Sequence, residues 1–291
     1  MTAFRARTAE GPREASDWST RRVIVTNLRA IVGRAYPRVI GLTREPSWIF
    51  FEILLPFLAV SAFVFVYRAL EAPEEFIGFV VLGGAMTAFW LNVVWMMAAQ
   101  FYWEKDQGNL ELYFTAPMNL MSVLAGMAIG GLVMTSSRAL AVLVIGTLVY
   151  GVQYDVRDPL LLGAVFLLTM VPLYGLGMLF ASLFMLWGRE AYHLANLLQE
   201  PIYFLGGVNF PLRQLGVVSA VVAATLPLAV GLDAMRQLVF PGEASTGVLP
   251  VGTEMAILGV MAVVFLVAAR FALRFLETLA RREGRLTMRW Q

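Results

Sequence analysis

The chain has 291 residues, 59% of them hydrophobic and 14% charged, with a formal net charge of +2. Soluble domains keep roughly a quarter of their residues charged, so this composition, with a mean hydropathy of +0.72, excludes a soluble enzyme and points to a membrane protein. No cysteine and a single histidine also exclude disulfides, thiolate metal sites, cysteine nucleophiles and most histidine-based chemistry.

Residues 1–19 read as a flexible cytoplasmic arm, polar and Arg-rich rather than a signal peptide. An amphipathic interfacial (elbow) helix is expected over residues 20–45. In it Ile24, Leu28, Ile31, Val32 and Ala35 recur at three- and four-residue steps while Arg22 and Arg29 project opposite, and Pro37 should end or bend the helix. A basic juxtamembrane helix bound to anionic lipid would show the same pattern.

A bilayer core about 30 Å thick needs roughly 20 apolar residues of helix. Stretches of that kind run from Trp48 to Tyr67, Phe76 to Phe101, Leu120 to Tyr150, Leu160 to Trp187 and Met255 to Phe275, and a less clean one from Tyr192 to Pro211. The fold class is therefore all-α and polytopic, with six transmembrane helices across residues 46–280 and a cytoplasmic tail at 281–291. Residues 1–47 carry nine Arg, the tail from Arg270 six, and Lys105 and Arg189 fall on the same side. The alternate connections hold only Arg68, Arg157, Arg213 and Arg236. This asymmetry predicts both termini in the cytoplasm.

Two charges fall within the first four spans. Glu52 sits near the start of the first, where Arg44 or a helix N-terminal position would satisfy it. Arg138 interrupts the third and falls near its outer boundary if that helix enters the core at Leu120. There it would snorkel or bond a neighbouring helix, or else serve as a pathway charge. Gly126 and Gly130 form a small-xxx-small pair and, with Gly175 and Gly177, predict close helix packing. The aromatics of the first two spans, Phe50, Phe57, Phe63, Phe89, Trp90 and Trp95, read as lipid-facing or core packing rather than a stacking surface. Glu190 and His193 make a poor metal site, and no metal is expected.

Two connections are unusual. The one from Tyr102 to Pro117 is compact and acidic, with Glu104, Asp106 and Glu111 against Lys105, where most cytoplasmic loops are basic. It reads either as a solvated turn or as a contact with protein. The other follows the fifth span: the run from Val217 to Val230 is too short, and too broken at Pro227 and Gly231, to cross. An extracellular re-entrant hairpin between helices five and six fits, because irregular backbone at membrane depth survives only where protein or a water-filled cavity covers it.

These two stretches resemble the ABC-2-type family of ATP-driven exporter permeases. The first matches that family's pattern at Glu104, Lys105, Gly108, Leu110, Glu111, Thr115 and Pro117, with Asn109 where Thr is usual. The second is an LxxPIYFLGGVxFPLxxL run at Leu198, Pro201, Tyr203, Phe204, Gly206, Gly207, Phe210, Pro211 and Leu215. A third, PL…DAxR, lies at Pro227, Leu228, Asp233, Ala234 and Arg236, with Leu226 where the family commonly has Asn. The resemblance covers roughly residues 20–280.

The resemblance implies a half-transporter that pairs with a second permease subunit, identical or related, and couples to two cytoplasmic ABC ATPase subunits. Glu104, Lys105, Asp106, Gly108, Leu110 and Glu111 would belong to the ATPase-coupling helix. Phe210, Pro211, Leu215, Pro227, Asp233 and Arg236 would belong to the extracellular gate. It also implies a bacterial inner or plasma membrane setting, contact with lipids, and no nucleic-acid partner. Lys105 is the only lysine and lies outside any GxxxxGK[ST] run, so ATP and Mg are expected on the partner, with no cofactor on this chain. An integral-membrane lipid or glycosyl transferase would need convergent acids or metal ligands, which the spans lack. A passive channel or scaffold leaves the acidic loop and hairpin unexplained. The expected substrate is amphipathic or hydrophobic.

Overall fold

The computed structural model describes residues 20–44, 46–108, 110–184, 190–240 and 247–282. The expected arm at 1–19, Asn109 and residues 283–291 of the tail lie outside the described residues. Within them every regular element is helical. Helices satisfy their own backbone groups, which is what an apolar surrounding demands. Five helices are long and apolar enough to cross a membrane, Ile49–Ala69, Glu75–Glu104, Leu120–Tyr150, Pro159–Phe184 and Val251–Leu279. The chain is a multi-pass membrane protein.

Helix α1 (Thr20–Arg44) continues past Pro37 to Arg44, so the proline does not end it. The carbonyl that Pro37 leaves without an amide partner belongs to Gly33, which has open space around its Cα. The exposed stripe of α1 is Ile24, Leu28 and Val32, and the adjoining face, with Asn27, Ile31 and Ala35, lies along α6 (Leu120–Tyr150). A Cβ on Gly126 would stand 2.5 Å from the Ile31 carbonyl oxygen, and one on Gly130 would stand 3.0 Å from that of Ala35. The two glycines thus give α1 its seat. Asn119 starts α6 by accepting the Met121 amide at 2.9 Å, and itself donates its amide to Asn27 of α1 at 2.9 Å.

Helix α2 (Pro46–Ala69) is mostly exposed, with Phe51, Leu55, Leu58 and Phe65 outward. Next come α3 (Glu75–Leu91), a π-helical turn (Asn92–Ala98) and α4 (Gln100–Asp106), which together form the buried centre of the bundle. Trp90, Phe89, Phe101 and Met97 pack there against Leu124 and Met127 of α6 and Leu173 and Phe184 of α7 (Pro159–Phe184). A short helix, α5 (Leu110–Thr115), separates α4 from α6. Helix α11 (Val251–Arg282) lies along α7.

The stretch expected as a fifth span, Tyr192 to Pro211, folds as α8 (Glu190–Leu205), 16 residues long. Its described length is about 24 Å at 1.5 Å per residue, and residues 185–189 before it lie outside the described residues. The helix stops because the chain turns at Gly206 and Gly207, the latter with φ +62°. Beyond lie a 3-10 turn (Leu212–Leu215), α9 (Val217–Ala223) and α10 (Pro227–Val239). Neither helix is long enough to cross. Almost every residue of α10 is buried, against α7, α11 and α3.

Candidate functional site

At one end of the bundle α1, α4 and α5 are joined by charge. The Arg34 guanidinium donates to Glu104 Oε1, and Gln100 Nε2 donates to the same oxygen at 2.9 Å. Glu104 is only 5% exposed, so this acid of the expected coupling segment is occupied within the chain. The Arg34 guanidinium also lies 5.7 Å from the Tyr113 ring centroid, which brings α5 into the cluster. Burial pushes the Tyr113 hydroxyl above its ordinary value, against the opposing pull of Arg34. One turn along α1, Arg38 donates to the backbone carbonyl of Met96, to that of Met127 at 3.3 Å and to Gln100 Oε1 at 3.3 Å. Burial draws Arg38 down to about 10, with Arg34 adding to the effect, so it stays cationic at neutral pH.

Gly108 carries φ +78° between α4 and α5, a left-handed geometry that only glycine adopts without strain. The turn exposes Trp103 and Leu112, at 48% and 65%. The side chains of Lys105, Asp106, Leu110, Glu111 and Leu215 lie outside the described residues.

At the other end Arg236, on α10, is 2% exposed and gathers three carbonyls. It donates to Gly207, to Val208 at 2.7 Å and to Phe79 of α3 at 2.9 Å. Its guanidinium also covers the Phe79 ring. Gly83 leaves room for this clamp, since a Cβ there would stand 2.8 Å from the guanidinium. The neighbouring Asn209 carbonyl accepts the Tyr67 hydroxyl at 2.8 Å. Asp233 accepts the Val248 amide at 2.7 Å, while Gln237 donates to the Leu249 carbonyl at 2.8 Å and to Glu254 at 3.1 Å. Phe210 packs edge-on to Phe204, and Pro211 leads into the 3-10 turn. Pro227 opens α10, and Leu226 before it makes no side-chain cap. Leu226 instead packs with Leu212, Ala223 and Ala229, an apolar use of the position where the family commonly has Asn.

The model of the ABC-2 type transporter family matches residues 34–240, more than half of the chain. The chain belongs to that family. A search of curated proteins found no match. As an ABC-2 permease subunit it is a membrane transport protein, and the family implies association with an ABC ATPase partner.

Glu52 and Arg138 of this permease meet in one place: Arg138 of α6 pairs with Glu52 of α2. Arg44, the expected partner of Glu52, does not fill that role. The pairing also revises the depth of Arg138. Glu52 lies six residues from the start of α2, whereas Arg138 lies eighteen from the start of α6. The first turns of α6 therefore run beside α1, before the level at which α2 begins its apolar run. Arg138 stands near that level rather than at the far end of its helix.

Sequence reasoning overlooked Arg34, Arg38, Asn92 and Gln199. Asn92 accepts the Tyr174 hydroxyl at 3.2 Å, and Gln199 accepts the Trp95 indole N–H at 2.7 Å. Arg34 was counted only as one of many basic residues before the first span, and nothing in the linear pattern set it apart. His193 and Glu190 line a shallow recess with Leu194 and Leu197, and no group of three metal-ligating side chains occurs among the described residues.

Proposed function

We propose that the chain is the membrane subunit of an ATP-driven exporter that moves an amphipathic or hydrophobic substrate, such as a drug-like compound, lipid or glycan, out of the cytoplasm or inner leaflet. It works as a dimer with two cytoplasmic ABC ATPase subunits in a bacterial plasma membrane, with both termini inside. ATP and Mg belong to the partner. The observation that carries this reading is the α1–α4–α5 cluster within the family-matched region. A short helix is held by a buried ion pair to a long amphipathic one, and between them Trp103 and Leu112 are left exposed for a partner. A push on α5 would travel through Glu104 and Arg34 into α1 and, through its glycine seat, into α6. At the opposite end the Arg236 clamp would hold the loop 207–209 as part of an outer gate, with dimer-interface opening alternating between the two sides.

The test is to tag the chain in its native membrane, purify it in mild detergent and identify what co-purifies. An ABC ATPase at one-to-one, lost when Asp106 and Glu111 are replaced by Lys, is the expected result. Glu104 is left intact because its replacement would disturb α1 as well. A folded chain that brings down no ATPase overturns the reading.

A further inference from the structure

Beside the Glu52–Arg138 pair lies a cavity of about 350 Å³ between α2, the π-helical turn and α6, at the lower end of the sizes that hold small molecules. Phe51, Leu55, Trp95 and Met96 supply its apolar wall, and Glu52, Asn92 and Arg138 its polar one. Phe51 and Leu55 are 55% and 62% exposed, so the mouth opens on the outer surface of the bundle, where a bilayer would deliver an amphiphile. Arg138 is only 8% exposed, yet its Nε and Nη2 are buried with no hydrogen-bond partner among the described residues. Buried donors are rarely left unmade, because their desolvation is not recovered. One arm of the guanidinium is spent on Glu52, and the others call for an acceptor. The pair is electrically neutral, so a net charge on the ligand would enter a poorly solvated site without a counter-ion.

We propose that this cavity binds the apolar body of a net-neutral amphiphile whose carbonyl, hydroxyl or ether oxygen accepts from Arg138. The proposal rests on the reading of the chain as a transport subunit and names where and by what chemistry its substrate is first held.

The probe is benzophenone, a neutral ketone that photolabels neighbouring C–H bonds, applied to the full chain in phosphatidylcholine nanodiscs and mapped by peptide mass spectrometry. Label should concentrate on residues 51–56 and 95–96. Fluorenone should compete about tenfold better than fluorene, which has the same shape without the oxygen, as expected for one hydrogen bond to a charged donor. Fluorenone-4-carboxylate should compete worse than fluorenone. Filling the cavity by Ala88→Phe, or by Leu55→Trp should the first variant misfold, should remove the label. Dispersed labelling, or equal competition by fluorene and fluorenone, overturns the site, and preference for the carboxylate overturns the neutral class. Bilayer lipid offers the same acceptor through its ester carbonyl. One phosphatidylcholine retained per parent chain and lost from the filled variant assigns the site to lipid, whereas none retained assigns it to a free amphiphile. No step needs an ATPase, so failure here is separate from failure to co-purify one.

Discussion

Arg34 and Glu104 lie 70 positions apart in the chain and close onto one another where α1, α4 and α5 meet. The carboxylate is nearly buried and the guanidinium about one-quarter exposed, with side-chain exposures of 6% and 23%. Gln100 donates to the same carboxylate at 2.9 Å, and the Glu104 charge also acts on Arg38 one turn along α1.

Glu104→Gln should therefore destabilise the purified permease by about 1–3 kcal/mol, less than a fully buried broken pair because Arg34 keeps some solvent. Exchanging the two as Arg34→Glu with Glu104→Arg should recover much of that loss. Thermal unfolding in detergent measures both. Equal stability of the parent and Glu104→Gln proteins would show that the pair holds nothing.

The seat of α1 makes a geometric prediction. Gly126→Leu places a Cβ against the Ile31 backbone carbonyl and 2.9 Å from the Arg34 Cβ, so backbone rather than a mobile side chain must yield. Overpacking of this kind typically costs about 1–3 kcal/mol. The chain has no cysteine, so Ile31→Cys supplies a clean reporter. Maleimide should react with it slowly in the parent and several-fold faster beside Gly126→Leu, by the displacement that overpacking forces. Unchanged labelling would mean that α1 does not depend on the glycine.

Arg236→Met should be the most damaging of these substitutions. It strips the carbonyls of Gly207, Val208 and Phe79 of their shared donor in a buried place, at a cost of about 1–3 kcal/mol for each carbonyl left unmet. Arg236→Lys keeps the charge but presents its donors from one nitrogen rather than from the two that reach these carbonyls, and should fall between parent and Met. Folded yield and unfolding temperature rank the three. A Met variant as stable as the parent would refute the clamp.

Gly108→Ala forces a side chain into a left-handed backbone at φ +78°, worth about 1 kcal/mol of strain. Global stability should fall little, because the turn lies at the end of the bundle. The angle between α4 and α5 should change, so ATPase co-purification should weaken more than unfolding temperature does. Equal falls in the two would mark the glycine as structural alone.

Much of this protein is legible in its linear pattern. Where a stretch is apolar for twenty residues or more, as at 120–150, backbone hydrogen bonding in a dry surrounding leaves little but a helix, and the expected bounds agree with α6 to the residue. The family pattern from Glu104 to Arg236 was readable for a similar reason, since local residue types at short spacing carry it. The end of α8 was not. Apolar composition runs on from Tyr192 to Pro211, but the backbone freedom of Gly206 and Gly207 ends the helix at Leu205.

What tertiary structure decided was which charges meet. Glu52 had Arg44 at hand in sequence, yet its partner is Arg138 on another helix, because the packing of α2 on α6 sets depth and distance along the chain does not. Arg34, Arg38 and Arg236 look alike as basic residues in a list. Only the fold commits them to Glu104, to the backbone of α6 and the π turn, and to the loop at 207–208. Hydrophobic length is a property of a segment and can be read one segment at a time. A buried ion pair is a property of two segments, and it exists only once packing has excluded water from both.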